Sequence, residues 1–354
     1  MPTSRSDLLR EIFLHLPSLP TLVRAALTCR SSLRAVRSPP AFRRRFRELH
    51  SPSLLGLFID IFDSDNPAFR PLRLRSDPDI AAVVRGADFF LTRLPDDDEG
   101  SAPEWLIRDF HDGYVVLISQ NTEHMAVYNP LTVSWISSPR RPARSAKISA
   151  VLSSETREWQ TFPLIEAASM QPVLQTEEED YTHNGLLVNG FIYWTQASRA
   201  NARVLNTTTL QFSRIDLPPN IEGQGALTAG ETKDGKLCII CAVELMLVVW
   251  SRRADDDGME RWMLDNTFPL LLEIDMLTGP VDNHELKILA IVNGFVYLSV
   301  YYEPDPNLSG WFLSFCLETA KLNKLCPMLH LDSLYPYIMA WPPSLILNKP
   351  SSTS

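Results

Sequence analysis

A short phrase that joins a tight-turn dipeptide to a strand-forming run recurs in this chain, and it constrains the fold more than any other feature. Residues 188–193 read Val-Asn-Gly-Phe-Ile-Tyr, and residues 292–297, which lie 104 positions later, read Val-Asn-Gly-Phe-Val-Tyr. Asp112-Gly113 and Asp234-Gly235 precede similar apolar runs. Asn-Gly and Asp-Gly favour tight hairpins because positive φ angles cost little at these residues. The phrase therefore predicts one small antiparallel sheet per repeat.

A second pattern lies downstream of these runs. Residues 129–135 read Asn-Pro-Leu-Thr-Val-Ser-Trp and residues 206–212 read Asn-Thr-Thr-Thr-Leu-Gln-Phe, with related stretches at 154–159 and 318–322. Each stretch combines a polar turn with an aromatic or aliphatic anchor, and a proline follows within a few residues. Repeats of about 40–50 residues built from four strands are typical of a β-propeller.

The fold class predicted from these repeats is mainly β, with a β-propeller over residues 51–347 and a disordered tail over 348–354. Dividing that length by the repeat length gives about six to seven blades. Residues 54–60 are expected to pair with a C-terminal strand near 338–341, which would close the ring and remove exposed sheet edges. No Gly-Gly or Trp-Asp signature of the better-known propeller repeats is present.

The first fifty residues have the pattern of short helices instead. Ser6 or Asp7 can cap a helix whose apolar residues recur at every fourth position, and Pro17 and Pro20 end it. Thr21 can cap a second helix, and one or two further short helices follow before residue 50. So small a bundle buries little apolar surface. We expect a partner to cover part of it, and the plainer alternative is a helical cap that packs on its own protein.

These helical residues resemble an F-box. The match comprises residues 8–17 with Leu-Leu-Arg-Glu-Ile and a closing Leu-Pro, residues 22–30 with Ala-Leu-Thr-Cys-Arg, and residues 38–43 with Ser-Pro-Pro-Ala-Phe-Arg. It covers residues 4–47, and residues 1–50 are taken as this domain. The phrases of the predicted sheets also resemble the propeller-like domains that follow F-boxes in plant proteins.

The resemblance implies a substrate-recognition subunit of a Skp–cullin–F-box ubiquitin ligase. The helices would bind a Skp-type adaptor, and through it a cullin, while the propeller binds a protein client. Two positions depart from the family pattern, because Ser4-Arg5 replaces its opening Leu-Pro and Ser32 replaces an aromatic residue. The residues predicted to contact the adaptor are Leu8, Leu9, Ile12, Leu16, Pro17, Leu22, Val23 and Phe42.

Motifs that could carry catalysis are incomplete. Residues 230–237 almost spell a phosphate-binding loop, but Leu237 replaces the metal-binding hydroxyl and a strand-like run follows where a helix is required. Cys238 and Cys241 lack a second pair of ligands at finger spacing, so buried structural cysteines are the favoured interpretation. The seven His are scattered. We therefore expect no catalytic residue, cofactor or metal, and no cluster of His, Asp or Glu around the central channel.

Charge and cysteine content constrain partners and compartment. The net charge is −9, although the first fifty residues carry ten Arg against three acidic residues. The Arg cluster at 43–47 is interpreted as a solvated helix face, so neither nucleic acid nor membrane is an expected partner. Acidic runs at 96–99, 177–180 and 255–257, beside exposed members of the set Trp105, Trp194 and Trp311, could attract a basic client.

Five Cys indicate a reducing compartment, cytoplasm or nucleus. The alternative function is a propeller interaction module whose degenerate F-box binds no ligase.

Overall fold

The structure is a computed structural model, and it describes fifteen stretches of the chain. These are residues 5–37, 40–60, 67–72, 77–94, 105–119, 124–137, 148–152, 159–163, 185–195, 201–219, 226–254, 257–279, 284–302, 310–328 and 333–345. The predicted tail at 348–354 lies outside them, as do the acidic runs at 96–99 and 177–180 and residues 255–256 of the third run.

The described residues form mainly β structure with six short helices. The helices are α1 (Arg5–Leu14), α2 (Leu19–Ala26), α3 (Arg30–Arg37), α4 (Pro40–Leu49), α5 (Pro78–Gly86) and α6 (Leu271–Thr278). The strands are β1 (Leu54–Asp60), β2 (Ala68–Pro71), β3 (Trp105–His111), β4 (Tyr114–Ser119), β5 (Met125–Asn129), β6 (Ser134–Ser137), β7 (Ile148–Leu152), β8 (Trp159–Pro163), β9 (Leu186–Val188), β10 (Phe191–Trp194), β11 (Asn201–Asn206), β12 (Phe212–Asp216), β13 (Ala226–Glu231), β14 (Leu237–Val243), β15 (Met246–Ala254), β16 (Glu260–Pro269), β17 (His284–Val292), β18 (Phe295–Tyr302), β19 (Gly310–Cys316), β20 (Lys321–Met328) and β21 (Ser333–Ile338). None of the described helices is long and apolar enough to cross a membrane.

The described strands build a propeller of five blades. Blade 1 has the order β21-β1-β2, and blades 2 to 5 are the four-stranded sheets β3–β6, β9–β12, β13–β16 and β17–β20. β7 and β8 form a two-stranded sheet of their own. The predicted six to seven blades are therefore wrong. Dividing the chain by a repeat length counted α5, α6 and the separate β7–β8 pair as if they belonged to four-stranded blades.

Pairing of β1 with β21 closes the ring. The two strands are antiparallel, with Leu54 opposite Ile338 and Asp60 opposite Ser333. The predicted closure is confirmed, although its C-terminal strand ends at Ile338, where the predicted segment began. The chain after β21 leaves the sheet and turns towards the helices.

The predicted turns occupy one end of the ring. Asn189-Gly190 and Asn293-Gly294 connect the first two strands of blades 3 and 5, and all four residues have positive φ. Asp112-Gly113 does the same in blade 2. The Asn293 side chain donates to the Arg47 carbonyl at 3.0 Å, so α4 lies against this end. We call it the helix rim, and the opposite end the far rim.

The second sequence pattern forms the outer turns on the same rim. The Oδ1 atoms of Asn129 and Asn206 each accept two backbone N–H groups, from the residues two and three positions later. Thr207 donates to the Gly190 carbonyl at 2.9 Å through its backbone and 2.7 Å through its hydroxyl. Inner and outer turns of one blade are thus linked. The copy at 154–158 lies outside the described residues.

Ser18, and not Thr21, caps α2. Its side chain accepts from the Thr21 backbone N–H, and Pro20 stands in the first turn of the helix. The predicted Thr21 cap is wrong because Pro20, placed there as a helix stop, is also well suited to a helix start. Thr21 instead donates to Asp79 of α5 at 2.7 Å.

The helices and the first two blades share one hydrophobic core. Phe46 and Phe42 of α4 pack edge-on against Trp341, with ring centroids 5.9 and 6.4 Å apart. The same cluster continues through Phe58 of β1 to Leu117 of β4. The predicted division at residue 50 stays a prediction, and the core runs across it without a gap.

Two phenylalanines offer a matched test of this core. Phe58 is fully buried among Phe69, Phe89, Phe110 and Tyr337, whereas Phe90 is 79% exposed. We expect Phe58→Ala to lower the free energy of unfolding by about 3–5 kcal/mol because it leaves a cavity. Phe90→Ala should change it by about 0.5 kcal/mol or less. Chemical denaturation measures both, and equal effects would contradict the assigned core.

Candidate functional site

The outer face of α1 exposes two large aliphatic side chains. Leu8 is 52% exposed and Ile12 is 51% exposed, whereas Phe13 is 6% exposed and faces the core. Residues four positions apart lie above one another on the same side of a helix. Leu8 and Ile12 therefore form one apolar strip, which we call the α1 face.

The structure places the eight predicted adaptor-contact residues at three depths. Leu8, Ile12 and Pro17 are exposed, Leu9, Leu16 and Val23 are partly buried against the core, and Leu22 and Phe42 are buried. Only the first group offers a surface to a partner without rearrangement of the bundle. The adaptor role of all eight residues stays a prediction.

Ser32, where the family pattern has an aromatic residue, belongs to the interior of the bundle. It is 7% exposed, and its hydroxyl lies 3.2 Å from Cys29 Sγ. Hydrogen bonds from Ser31 and Ser32 lower the pKa of the exposed Cys29 thiol to about 6. Sequence reasoning missed this polarised thiol, and its only signal was the run Cys29-Arg30-Ser31-Ser32 at the start of α3.

Contacts from several helices fix the bundle on the ring. Arg24 of α2 lies 3.1 Å from the Asp79 carboxylate, which is 11% exposed. Arg37 of α3 donates to the Ser344 carbonyl at 2.6 Å. With the Asn293–Arg47 hydrogen bond, these contacts reach α5, the segment after β21 and the first turn of blade 5. The bundle is therefore oriented by the ring and is not a freely hinged arm.

The five inner strands surround a central channel of about 670 Å³. They are β21, β3, β9, β13 and β17, and the end of α4 with the following residues 50–53 covers the channel at the helix rim. This cover brings Arg47 to the carboxylates of Asp112 and Glu231. The channel therefore has a charged end beneath the helices.

Charged side chains of β3 and β13 meet at that end. Burial raises the pKa of Asp109 to about 6, against the opposing effect of hydrogen bonds from the Phe110 and Gly185 backbone. Burial also raises the pKa of Glu231, although Arg47 opposes it. Asp112 lies 3.3 Å from His111. The neighbouring His111 imidazole lowers the pKa of Asp112, and for His111 the nearby carboxylates outweigh burial and raise the pKa.

This cluster corrects the expectation that no His, Asp or Glu grouping surrounds the channel. The sequence signal for this cluster was the place of its residues along the chain. Residues 109–112 and Glu231 come at the end of an inner strand, next to its first turn. The charges largely offset one another, so the arrangement holds α4 over the channel. Among the described residues, no group of three His, Cys, Asp or Glu is placed to hold a metal ion.

The three tryptophans considered as exposed anchors for a client are buried or partly buried. Trp105 is 4% exposed and Trp194 is partly buried. Trp311 is also partly buried and lies beneath the Lys324 ammonium, 3.4 Å from the ring centroid. The tryptophan with a large exposed fraction in the described chain is Trp135, on the outer strand of blade 2, at 39%. Core packing accounts for Trp105, as a burial argument would favour.

One family model matches residues 164–345, about half of the chain, and its description is "F-box protein AT5G49610-like, beta-propeller". This chain belongs to that family. The match covers blades 3 to 5 and the closing strand, which the sequence phrases had already indicated. The family is named for F-box proteins with a propeller domain, a class consistent with substrate receptors of Skp–cullin–F-box ligases.

Solved structures resemble this chain only distantly. A quinonprotein alcohol dehydrogenase-like protein from Bacteroides thetaiotaomicron is 11% identical, with a TM-score of 0.41, over 83% of this chain and 80% of that one. A DUF4221 protein from Bacteroides vulgatus is 12% identical, with a TM-score of 0.30, over 69% and 84%. The Cps50 (Swd1) propeller of Myceliophteria thermophila is 9% identical, with a TM-score of 0.32, over 60% and 70%. No curated protein matches the sequence.

The buried Asp109 predicts a pH dependence of stability. Its pKa is raised on folding, so the folded state holds the proton more tightly, and stability falls as pH rises from about 4 to about 6. Asp109→Asn keeps the hydrogen-bond acceptor and removes the charge. We expect the stability of the variant relative to the unsubstituted chain to rise by about 2 kcal/mol between pH 4 and pH 7. Urea denaturation across this range measures it, and a difference independent of pH would refute the assignment.

Proposed function

We propose that this chain is the substrate-recognition subunit of a Skp–cullin–F-box ubiquitin ligase. Its N-terminal helices bind a Skp-type adaptor, which connects it to a cullin, and its propeller binds a protein client. Family membership supports an F-box protein with a propeller domain. The finer assignment depends on the helices, whose resemblance to an F-box covers residues 4–47.

The α1 face is the observation that carries this proposal. A helix that exposes Leu8 and Ile12 beside a sealed core leaves apolar surface in water. Covering one such side chain fully contributes about 1.5–3 kcal/mol, so even half of that area gives a partner a useful gain. Leu27, at the end of α2, adds a third aliphatic side chain that is 56% exposed.

Anchoring of the bundle supports a positioning mechanism. Because α4 contacts the ring directly, and α2 and α3 contact α5 and the segment after β21, the adaptor and the client would be held at a defined distance. The chain itself then makes and breaks no covalent bond, and requires no cofactor or metal. It raises the effective concentration of a client lysine near the ubiquitin carrier.

A reducing compartment, cytoplasm or nucleus, is proposed for this function. All five Cys are free thiols, four of them buried. The basic cluster of α4 gives little support for a nucleic-acid role, since Arg45 lies 2.9 Å from Glu48 and Arg47 faces carboxylates of the ring. A nucleic acid and a membrane are accordingly absent from the proposed partners.

Paired substitutions on the α1 face test the adaptor assignment. We expect Leu8→Asp/Ile12→Asp to weaken binding of a recombinant Skp-type adaptor at least tenfold, because two charges replace buried contact area at the interface. The fold should remain, since both side chains are exposed in the free chain. Adaptor recovered in a pull-down, with circular dichroism as the folding check, measures both effects.

Met263→Asp/Leu264→Asp is the matched control, because these side chains are 48% and 53% exposed on the outer strand β16. It should leave adaptor recovery unchanged. Equal recovery from the α1-face variant and the unsubstituted chain would end the ligase proposal. The chain would then be a propeller interaction module with a degenerate F-box.

A further inference from the structure

Helix α6 lies at the far rim, away from the helical bundle. The turn between β13 and β14 is at the helix rim, since the Asn189 side chain donates to the Gly235 carbonyl at 2.9 Å. The next turn, Glu244-Leu245, is therefore at the other end of the blade. Leu270, directly before α6, donates to the Leu245 carbonyl at 2.8 Å. α6 thus starts on the face opposite the α1 face.

The outward side of α6 is apolar. Ile274 and the preceding Leu270 are 0% and 1% exposed, and they anchor the helix in the core between blades 4 and 5. Leu272 is 72% exposed and Met276 is 78% exposed, and they lie four positions apart on the solvent side. A surface helix ordinarily places polar residues there. We call Leu272 and Met276, with the 49% exposed Leu271 at their edge, the α6 face.

The helix that presents this face is held at its C-terminal end. Lys324 donates to the Leu277 carbonyl at 2.7 Å while its ammonium covers the Trp311 ring. Gly279, with φ of 93°, ends the helix and donates to the Asp275 carbonyl. A fixed helix loses little conformational entropy when a partner binds, so the α6 face is preorganised.

Acidic groups surround the α6 face. Glu273 and Asp275 belong to the helix, and the exposed Glu244 stands on the adjoining turn. Neither the helix nor that turn carries Lys or Arg, and the neighbouring Lys324 is engaged by Leu277 and Trp311. A basic partner would therefore be favoured. In a two-fold symmetric dimer of this chain, the same carboxylates of the two copies would face and repel one another.

We propose that the α6 face is the client-docking site and that its occupant is an amphipathic helix of the client, with an apolar stripe flanked by Lys or Arg. Ridges at four-residue spacing on two helices can interlock, and the basic flanks would meet Glu273 and Glu244. The inference rests on the proposed function, because it assigns the client to the rim opposite the adaptor. A client held there leaves the α1 face free.

A defined peptide tests this chemistry on the full chain. The probe is a fluorescent peptide of about 18 residues, long enough to form a helix, with a leucine stripe flanked by lysines. A matched peptide carries glutamates in place of the lysines. Fluorescence anisotropy should show saturable binding of the lysine peptide, at least tenfold tighter than that of the glutamate peptide.

Substitutions assign the binding to the α6 face. Leu272→Glu/Met276→Glu should weaken the lysine peptide at least tenfold. Phe90→Glu/Met259→Glu is the matched control, since these side chains are 79% and 62% exposed at the helix rim, and it should change the affinity less than twofold. Glu244→Gln/Glu273→Gln should reduce the preference for lysine over glutamate flanks.

The outcomes separate this inference from the adaptor proposal. Undiminished peptide binding by the Leu272→Glu/Met276→Glu variant overturns the docking site. The docking site is also overturned if the unsubstituted chain is a dimer and this variant is a monomer in sedimentation velocity, because the face would then be a self-interface.

Adaptor recovery is measured on the same preparations. Peptide binding without adaptor binding would support the α6 face and refute the ligase assignment; adaptor binding without peptide binding would do the reverse.

Discussion

The pairing of β1 with β21 is the interaction on which the rest of the structure depends. It joins the first strand after the helices to the last strand of the chain, and so closes the ring. It also positions the bundle, because α4 runs directly into β1 while the residues after β21 bring Trp341 against Phe42 and Phe46. One antiparallel pairing thus fixes two relationships. The ring cannot open without breaking this pairing, and the sheet edges that a propeller leaves are short and protected.

The order of strands within each blade gives the ring two unlike ends. Successive strands run up and down, so the first and third turns of a blade share one rim, and the second turn and the connection to the next blade share the other. The bundle occupies the rim with the first and third turns. α6 interrupts a connection between blades and therefore lies at the far rim. The separation of the α1 face from the α6 face follows from this topology.

Charge distribution reinforces that separation. The ten Arg of the first fifty residues are concentrated in the helices, and Arg47 meets the carboxylates of Asp112 and Glu231 at the covered end of the channel. Burial leaves Asp109 with a pKa near 6, so this end responds to mild acidification. The acidic excess of the ring remains at surfaces such as that of α6. The Arg-rich helices therefore lie at one rim, and the carboxylates that flank α6 lie at the other.

The sequence alone determined the local features of this protein. Asn189-Gly190 and Asn293-Gly294 predicted their hairpins because turn geometry depends on the φ angles of adjacent residues, and the alternation of apolar runs predicted mainly β structure. For the same reason periodicity predicted three or four short helices in the first fifty residues, where the structure has four. Tertiary structure decided the blade count, the burial of Leu22 and Phe42, the Asp109 to Glu231 cluster and the exposure of Leu272 and Met276. Each of these depends on which distant elements pack together, and the spacing of residues along one chain carries no measure of that.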